Sequence, residues 1–209
     1  MSAQISKALA ELDEDVVLKE VEELSNQGVP AFEILAALQK GMEEVGKKFE
    51  DKEYFLSELI MSADIFKTAT STLGDVFADD SSKKLGTVVI GTVKEDIHDI
   101  GKDIVVTILK CNGFNVIDLG VDVPFEKFVE AVKEHNPQII GLSCLLTSAF
   151  DNMKETIAAL EAAGLREGRK VLVGGGSTDD KVSAYVNADG VCRNAQEAVQ
   201  VCKRIVGVN

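Results

Sequence analysis

Gly86-Thr87-Val88-Val89-Ile90-Gly91-Thr92-Val93 runs through Lys94-Glu95 into Asp96-Ile97-His98-Asp99-Ile100-Gly101, and this passage decides the fold. The first eight residues form a β-branched apolar run, the pattern of a buried strand. Ile104, Val105, Ile108 and Leu109 then recur at helical spacing. The Asp-x-His-x-x-Gly segment therefore occupies a loop at the carboxyl end of a strand, where open α/β sheets place their ligands. An imidazole two residues from a carboxylate looks like a metal ligand with its supporting partner built in. The same pair also suits a hydrogen-bonded surface histidine, and the loop alone leaves both readings open.

Downstream, the pattern keeps alternating. Strands are expected at about 87–93, 115–119, 139–143, 171–173 and 190–192, with helices near 99–111, 125–135, 149–163, 179–187 and 195–206. Short apolar strands separated by helices predict a parallel sheet wound on both faces. Five strands fit the flavodoxin-like (Rossmann-like) order 2-1-3-4-5, whose crevice opens between strands 1 and 3. His135, before Asn136-Pro137, reads as a surface residue at a helix end without an acidic partner.

Upstream of the polar segment Ala78-Asp79-Asp80-Ser81-Ser82-Lys83-Lys84 there is no strand-like run. Four helices are expected instead. Ile5, Leu9 and Leu12 mark the first; Asp13 caps the second, which carries Val17, Val21 and Leu24 and ends at Gly28. Pro30 suits the first turn of the third, with Ile34, Leu35, Leu38, Met42, Val45 and Phe49 on its inner face, and the fourth spans about 54–77. The expected organisation is α/β: a helical bundle over residues 1–85 and a five-stranded sheet domain over 86–209.

Bulk properties narrow the function. At 209 residues a substantial core is available. A net charge of −13 with no Lys/Arg cluster argues against nucleic-acid binding. Cys111, Cys144, Cys192 and Cys202 form no CxxC pair and lie in or beside apolar segments, as reduced packed thiols do. No signal-peptide pattern opens the chain and no stretch is long enough for a membrane span, so a cytoplasmic protein is expected.

Three loops should converge at the carboxyl edge: Asp96 to Gly101, Ser143-Cys144-Leu145-Leu146-Thr147, and Gly174-Gly175-Gly176-Ser177. Singly, Ser143 and Thr147 could be helix caps and the glycines a simple turn. Together, glycines at two loop tips remove side chains where a large ligand needs close backbone approach. No GxGxxG follows the first strand, which argues against a dinucleotide. One imidazole cannot make a closed zinc site. It can supply one axial bond to a metal whose other positions a macrocycle fills.

On these residues the sequence resembles the cobalamin-binding module of methionine synthase. It resembles more closely the small corrinoid proteins of methyltransferase systems acting on methylamines, methanol, methoxyaromatics or betaines. Asp96-x-His98-x-x-Gly101, Ser143-x-Leu145 and Gly174-Gly175 stand in the family's order, and Gly41 to Phe49 followed by Tyr54 to Leu59 resembles its helical cap. The resemblance implies that His98 is the axial cobalt ligand, replacing the cofactor's dimethylbenzimidazole, with Asp96 holding its tautomer. It further implies that Gly101, Ser143, Leu145, Gly174, Gly175 and Gly176 line the slot for the displaced nucleotide tail. Thr147 and Arg193-Asn194-Ala195 would border the corrin, and Phe49 and Leu56 would shield its upper face. The cofactor implied is cobalamin or a related corrinoid, cycling between cob(I)alamin and methylcob(III)alamin. The implied partners are a substrate-specific methyltransferase, an acceptor methyltransferase using tetrahydrofolate or a thiol, and a reductive activating protein. On this reading the chain carries methyl groups without being an enzyme by itself, and a hinge is expected near 78–86.

Two positions depart from the family pattern. Ala149 stands where methionine synthase extends its Asp-His pair to a serine, with Ser148 the nearby hydroxyl. Ser57 stands where proline is common, and could cap a helix. The rival readings are a cobalamin-dependent sensor, for which the chain leaves no room for an output domain, the B12 subunit of a carbon-skeleton mutase, and a flavodoxin-like nucleotide or flavin binder.

Overall fold

The computed structural model describes residues 2–73 and 84–208. The chain divides into two compact units, one containing the amino-terminal helices and the other the sheet.

The first unit consists of α1 (Ser2–Ala10), α2 (Glu14–Asn26), α3 (Ala31–Glu50) and α4 (Leu56–Thr72). Asp13 caps α2 as expected, accepting from Val16 N–H at 3.2 Å. Leu12 does not extend α1: it turns left-handed at φ 62, and Asp13 N–H reaches back to the Ala8 carbonyl at 2.9 Å, closing the helix early enough for the cap to form. Pro30 stands one residue before α3. Gly28, at φ 76, closes the turn after α2, where a residue without Cβ is favoured.

The bundle core is Ile5, Leu9, Val17, Val21, Ile34, Leu38, Met42, Val45, Leu59 and Ile65, all nearly fully buried. Ser6 Oγ donates to Ala37 O at 2.8 Å, and Gly41 gives α1 and α3 room to approach. Lys48 and the Tyr54 hydroxyl both donate to Ala10 O, satisfying a carbonyl at the end of α1.

Ser57 is not the cap of α4. Phe55 holds that position and Glu58 performs the function, accepting from Phe55 N–H at 2.8 Å while the Ser57 hydroxyl also donates to it at 3.0 Å. These bonds lower the Glu58 carboxyl from its ordinary value. The described part of α4 ends at Thr72, so the expected continuation beyond 73 and the segment 78–83 lie outside the described residues.

The second unit alternates β1 (Thr87–Thr92), α5 (Ile100–Cys111), β2 (Asn115–Asp118), α6 (Phe125–His135), β3 (Ile139–Ser143), α7 (Phe150–Ala162), β4 (Lys170–Gly174), α8 (Asp180–Val186), β5 (Gly190–Cys192) and α9 (Ala195–Ile205). The strands are all parallel in the order 2-1-3-4-5, as the sequence predicts. Register places Thr92 beside Ser143 and Ser143 beside Gly174, so the three expected loops leave adjacent strands together. Gly91 lets the Phe128 ring lie against β1: a Cβ there would come within 2.9 Å of the ring. His135 differs from expectation in having an acidic neighbour, Glu134, at 3.8 Å.

Candidate functional site

The site is organised by Asp96. Its side chain is completely buried, yet both carboxylate oxygens are fully engaged. Oδ1 accepts from His98 N–H at 3.0 Å and pairs with His98 Nδ1 at 2.7 Å. Oδ2 accepts from Leu145 N–H at 2.6 Å and Leu146 N–H at 3.0 Å. Burial alone would push this carboxyl up; the bonds from Leu146, His98 and Leu145 outweigh it and hold Asp96 well below the usual carboxylate range. Asp96 is therefore an anion at neutral pH that ties the loop after β1 to the loop after β3.

The consequence falls on His98. With Nδ1 bound to a carboxylate, the neutral ring carries its proton there and leaves a lone pair on Nε2. The side chain is 49% exposed, so Nε2 is available to an incoming metal. Thr92, fully buried, fixes the backbone beneath it by donating Oγ1 to His98 O at 3.1 Å. Exposed apolar side chains belong to the same edge: Ile97, Ile100, Leu145 and Leu146.

The glycines separate into two kinds. Gly175 has φ 131, and a Cβ there would lie 1.9 Å from Cys144 O, so its lack of a side chain is required by the fold itself. Gly101, in the first turn of α5, would meet nothing within 4 Å. No protein neighbour explains it, and the open space lies three residues after His98 in the chain.

Ser143 ends β3 and Thr147 opens a short 3-10 turn, Thr147–Ala149; neither side chain caps a helix. Arg193 pairs with Asp180 at 2.9 Å and Glu197 at 3.2 Å, while Asn194 caps α9. Ala149 is fully buried and Ser148 exposed. On the side away from His98, the Asp96 carboxylate ends on two backbone N–H groups, those of Leu145 and Leu146. Phe49 and Leu56 belong to the first unit, in the last turn of α3 and at the start of α4.

Thr92, Leu146 and the ion pair of the buried Lys102 with the more exposed Asp118 were not evident from the sequence. Backbone donors such as Leu146 N–H leave no trace in residue identity. Lys102 does leave one, since it shares an inward stripe with Val106 and Leu109.

Among the described residues, no group of three or more His, Cys, Asp or Glu could hold a metal. A metal at His98 must bring its other ligands with it, and a planar macrocycle does so. The half-exposed imidazole, the empty space at Gly101 and the apolar edge all fit that group.

A B12-binding domain model matches residues 86–203, and a second, also described as a B12-binding domain, matches 1–73. The chain belongs to the B12-binding family. This corrinoid protein is 40% identical to dimethylamine corrinoid protein 1 of Methanosarcina mazei over 97% of its own length and 94% of the relative's. A cobalamin-binding protein from Desulfitobacterium hafniense superposes with a TM-score of 0.82 at 38% identity, covering 98% of both chains. The methanol:cobalamin methyltransferase complex of Methanosarcina barkeri gives 0.83 at 29% identity, covering 99% of this chain and 79% of that one. The cofactor bound by the family is a corrinoid, and the two-part architecture is the family's own. No helix among the described residues is long and apolar enough to cross a membrane.

Proposed function

We propose that this corrinoid protein is a methyl carrier, receiving a methyl group from a substrate-specific methyltransferase and delivering it to a second methyltransferase that uses a tetrahydrofolate or thiol acceptor. The observation that carries the reading is the Asp96–His98 pair, in which four hydrogen bonds fix a carboxylate and leave one imidazole nitrogen free. The resemblance of the whole chain to corrinoid proteins named for dimethylamine supports the carrier role. A bound corrinoid supplies the methyl-accepting and methyl-releasing chemistry.

The protein's own residues bind, orient and shield. His98 Nε2 would bind the cobalt of the corrinoid in place of dimethylbenzimidazole, with Asp96 setting the ring's tautomer and strengthening it as a donor. Gly101, Ser143, Leu145, Gly174 and Gly175 would line the path of the nucleotide tail. Thr147 and the Arg193 loop would border the ring. By the family resemblance Phe49 and Leu56 would keep water from the cofactor; Ile60 and Met61 are exposed on the same helix as Leu56. Substrate choice resides in the donor methyltransferase, and a reductive activating protein restores the cofactor after adventitious oxidation.

The test is reconstitution with methylcobalamin, comparing visible spectra of the wild type and His98→Ala in darkness and after photolysis. A stoichiometric wild-type complex with a His98-dependent spectrum is expected; a spectrum unchanged by the substitution overturns axial ligation. Methyl transfer to a tetrahydrofolate- or thiol-dependent methyltransferase checks the carrier role, and absence of transfer in every pairing counts against it.

A further inference from the structure

Lys102 is anomalous in α5. It is 3% exposed, and lysines are almost never buried unless paired. Its position in the first turn also puts a cation at the positive end of the helix dipole. Two carboxylates account for it: Nζ lies 2.9 and 2.7 Å from the oxygens of Asp118, at the end of β2, and 2.5 Å from Asp103. Burial would lower the ammonium's pKa, but these two partners hold it above its ordinary value.

Asp118 begins a strap that is bonded to the His98 loop at several points. Its Oδ1 also accepts from Gly120 N–H at 3.0 Å, and Gly120 O accepts from Thr92 N–H at 2.9 Å. Asp122 N–H donates to Asp96 O at 2.9 Å, while its carboxylate accepts from Glu95 N–H at 2.8 Å. Glu95 and Asp122 are both left-handed, at φ 67 and 51, a conformation that persists in such residues where the surroundings over-determine it. The strap therefore holds the loop before His98, and Lys102 fastens the same strap to the helix after it.

We propose that Lys102 is a positioning residue for His98: its ion pair with Asp118 fixes the start of α5 against the 118–122 strap, so that Nε2 is presented at one place. This rests on His98 being the axial ligand. The variants are Lys102→Met, which keeps the stem and removes the charge, and Asp118→Asn. Each is loaded with cobalamin, reduced to the cobalt(II) state and examined by electron paramagnetic resonance, where an axial imidazole nitrogen splits the cobalt lines.

In the wild type the splitting is expected in full. In a folded Lys102→Met protein the split fraction falls and corrinoid affinity weakens by about tenfold, the scale seen for groups that support a metal ligand. A folded variant with wild-type splitting and affinity overturns the proposal. If Lys102→Met does not fold, Asp118→Asn decides by the same two measurements; if neither folds, the pair serves folding alone and the proposal falls. Absence of splitting in the wild type instead removes the assignment of His98, which separates the two failures.

Discussion

At the scale of single residues, the glycines of this site give opposite expectations. Ala at position 101 meets open space and is the better helix former, so Gly101→Ala should leave the cofactor-free protein as stable or more stable, by up to about 1 kcal/mol. On the proposed cofactor placement its methyl group enters the ligand's space, and corrinoid affinity should fall about tenfold, about 1.4 kcal/mol. Gly175→Ala should do its damage without any cofactor: a left-handed φ and a 1.9 Å approach to Cys144 O predict a loss of about 2–4 kcal/mol in denaturant unfolding. Asp96 yields a further expectation. Asn offers one acceptor oxygen where the site uses two, so Asp96→Asn should cost about 2–4 kcal/mol near neutral pH. Because the folded pKa is depressed, the ionised group's contribution is present above the unfolded value, about 4, and is lost as the pH falls through the folded value. The stability gap between wild type and Asp96→Asn, measured by urea unfolding, should therefore narrow as the pH drops below about 4.

At the scale of elements, close packing between helices makes its own prediction. A Cβ on Gly41 of α3 would come within 2.9 Å of Leu9 Cβ and 3.0 Å of Ser6 O on α1. Gly41→Ala should overpack the bundle by about 1–3 kcal/mol, partly offset by up to about 1 kcal/mol of helix propensity. Thermal unfolding checks it: a variant more stable than wild type would contradict the contact. Elements such as these were legible wherever a periodic apolar pattern set them. The five strands, their parallel order and most helices followed from the alternation of short apolar runs with helical stripes. Local competition was harder to read. Leu12 continued an apolar stripe, but Asp13 needed a non-helical residue before it. Ser57 looked like a cap, yet Glu58, one residue further, reaches the Phe55 N–H with a longer side chain. The Asp96–His98 pair was visible because it lies within three residues. The strap and the Leu145–Leu146 donors depend on strand register, which residue identity carries only indirectly.

At the scale of the whole molecule, the cysteines test how tightly the native state is closed. All four are free, and three are buried; Cys192 is partly buried. Burial pushes the thiols of Cys111, Cys144 and Cys202 up to about 12, and that of Cys192 to about 11. Thiolate is the reactive species, so at neutral pH none carries an appreciable fraction of it. A disulfide reagent added to the native protein should therefore label the thiols slowly, Cys192 first, whereas unfolding in denaturant should expose four at once. Ligand binding supplies the decisive contrast. A corrinoid that binds only the folded state adds about 2.7 kcal/mol of stability at a free concentration of 100 times its Kd. Where labelling proceeds through unfolding, saturating cobalamin should slow it about a hundredfold. Rapid labelling of Cys144 in the loaded protein would contradict its burial beneath Gly175, on the same loop whose N–H groups hold Asp96.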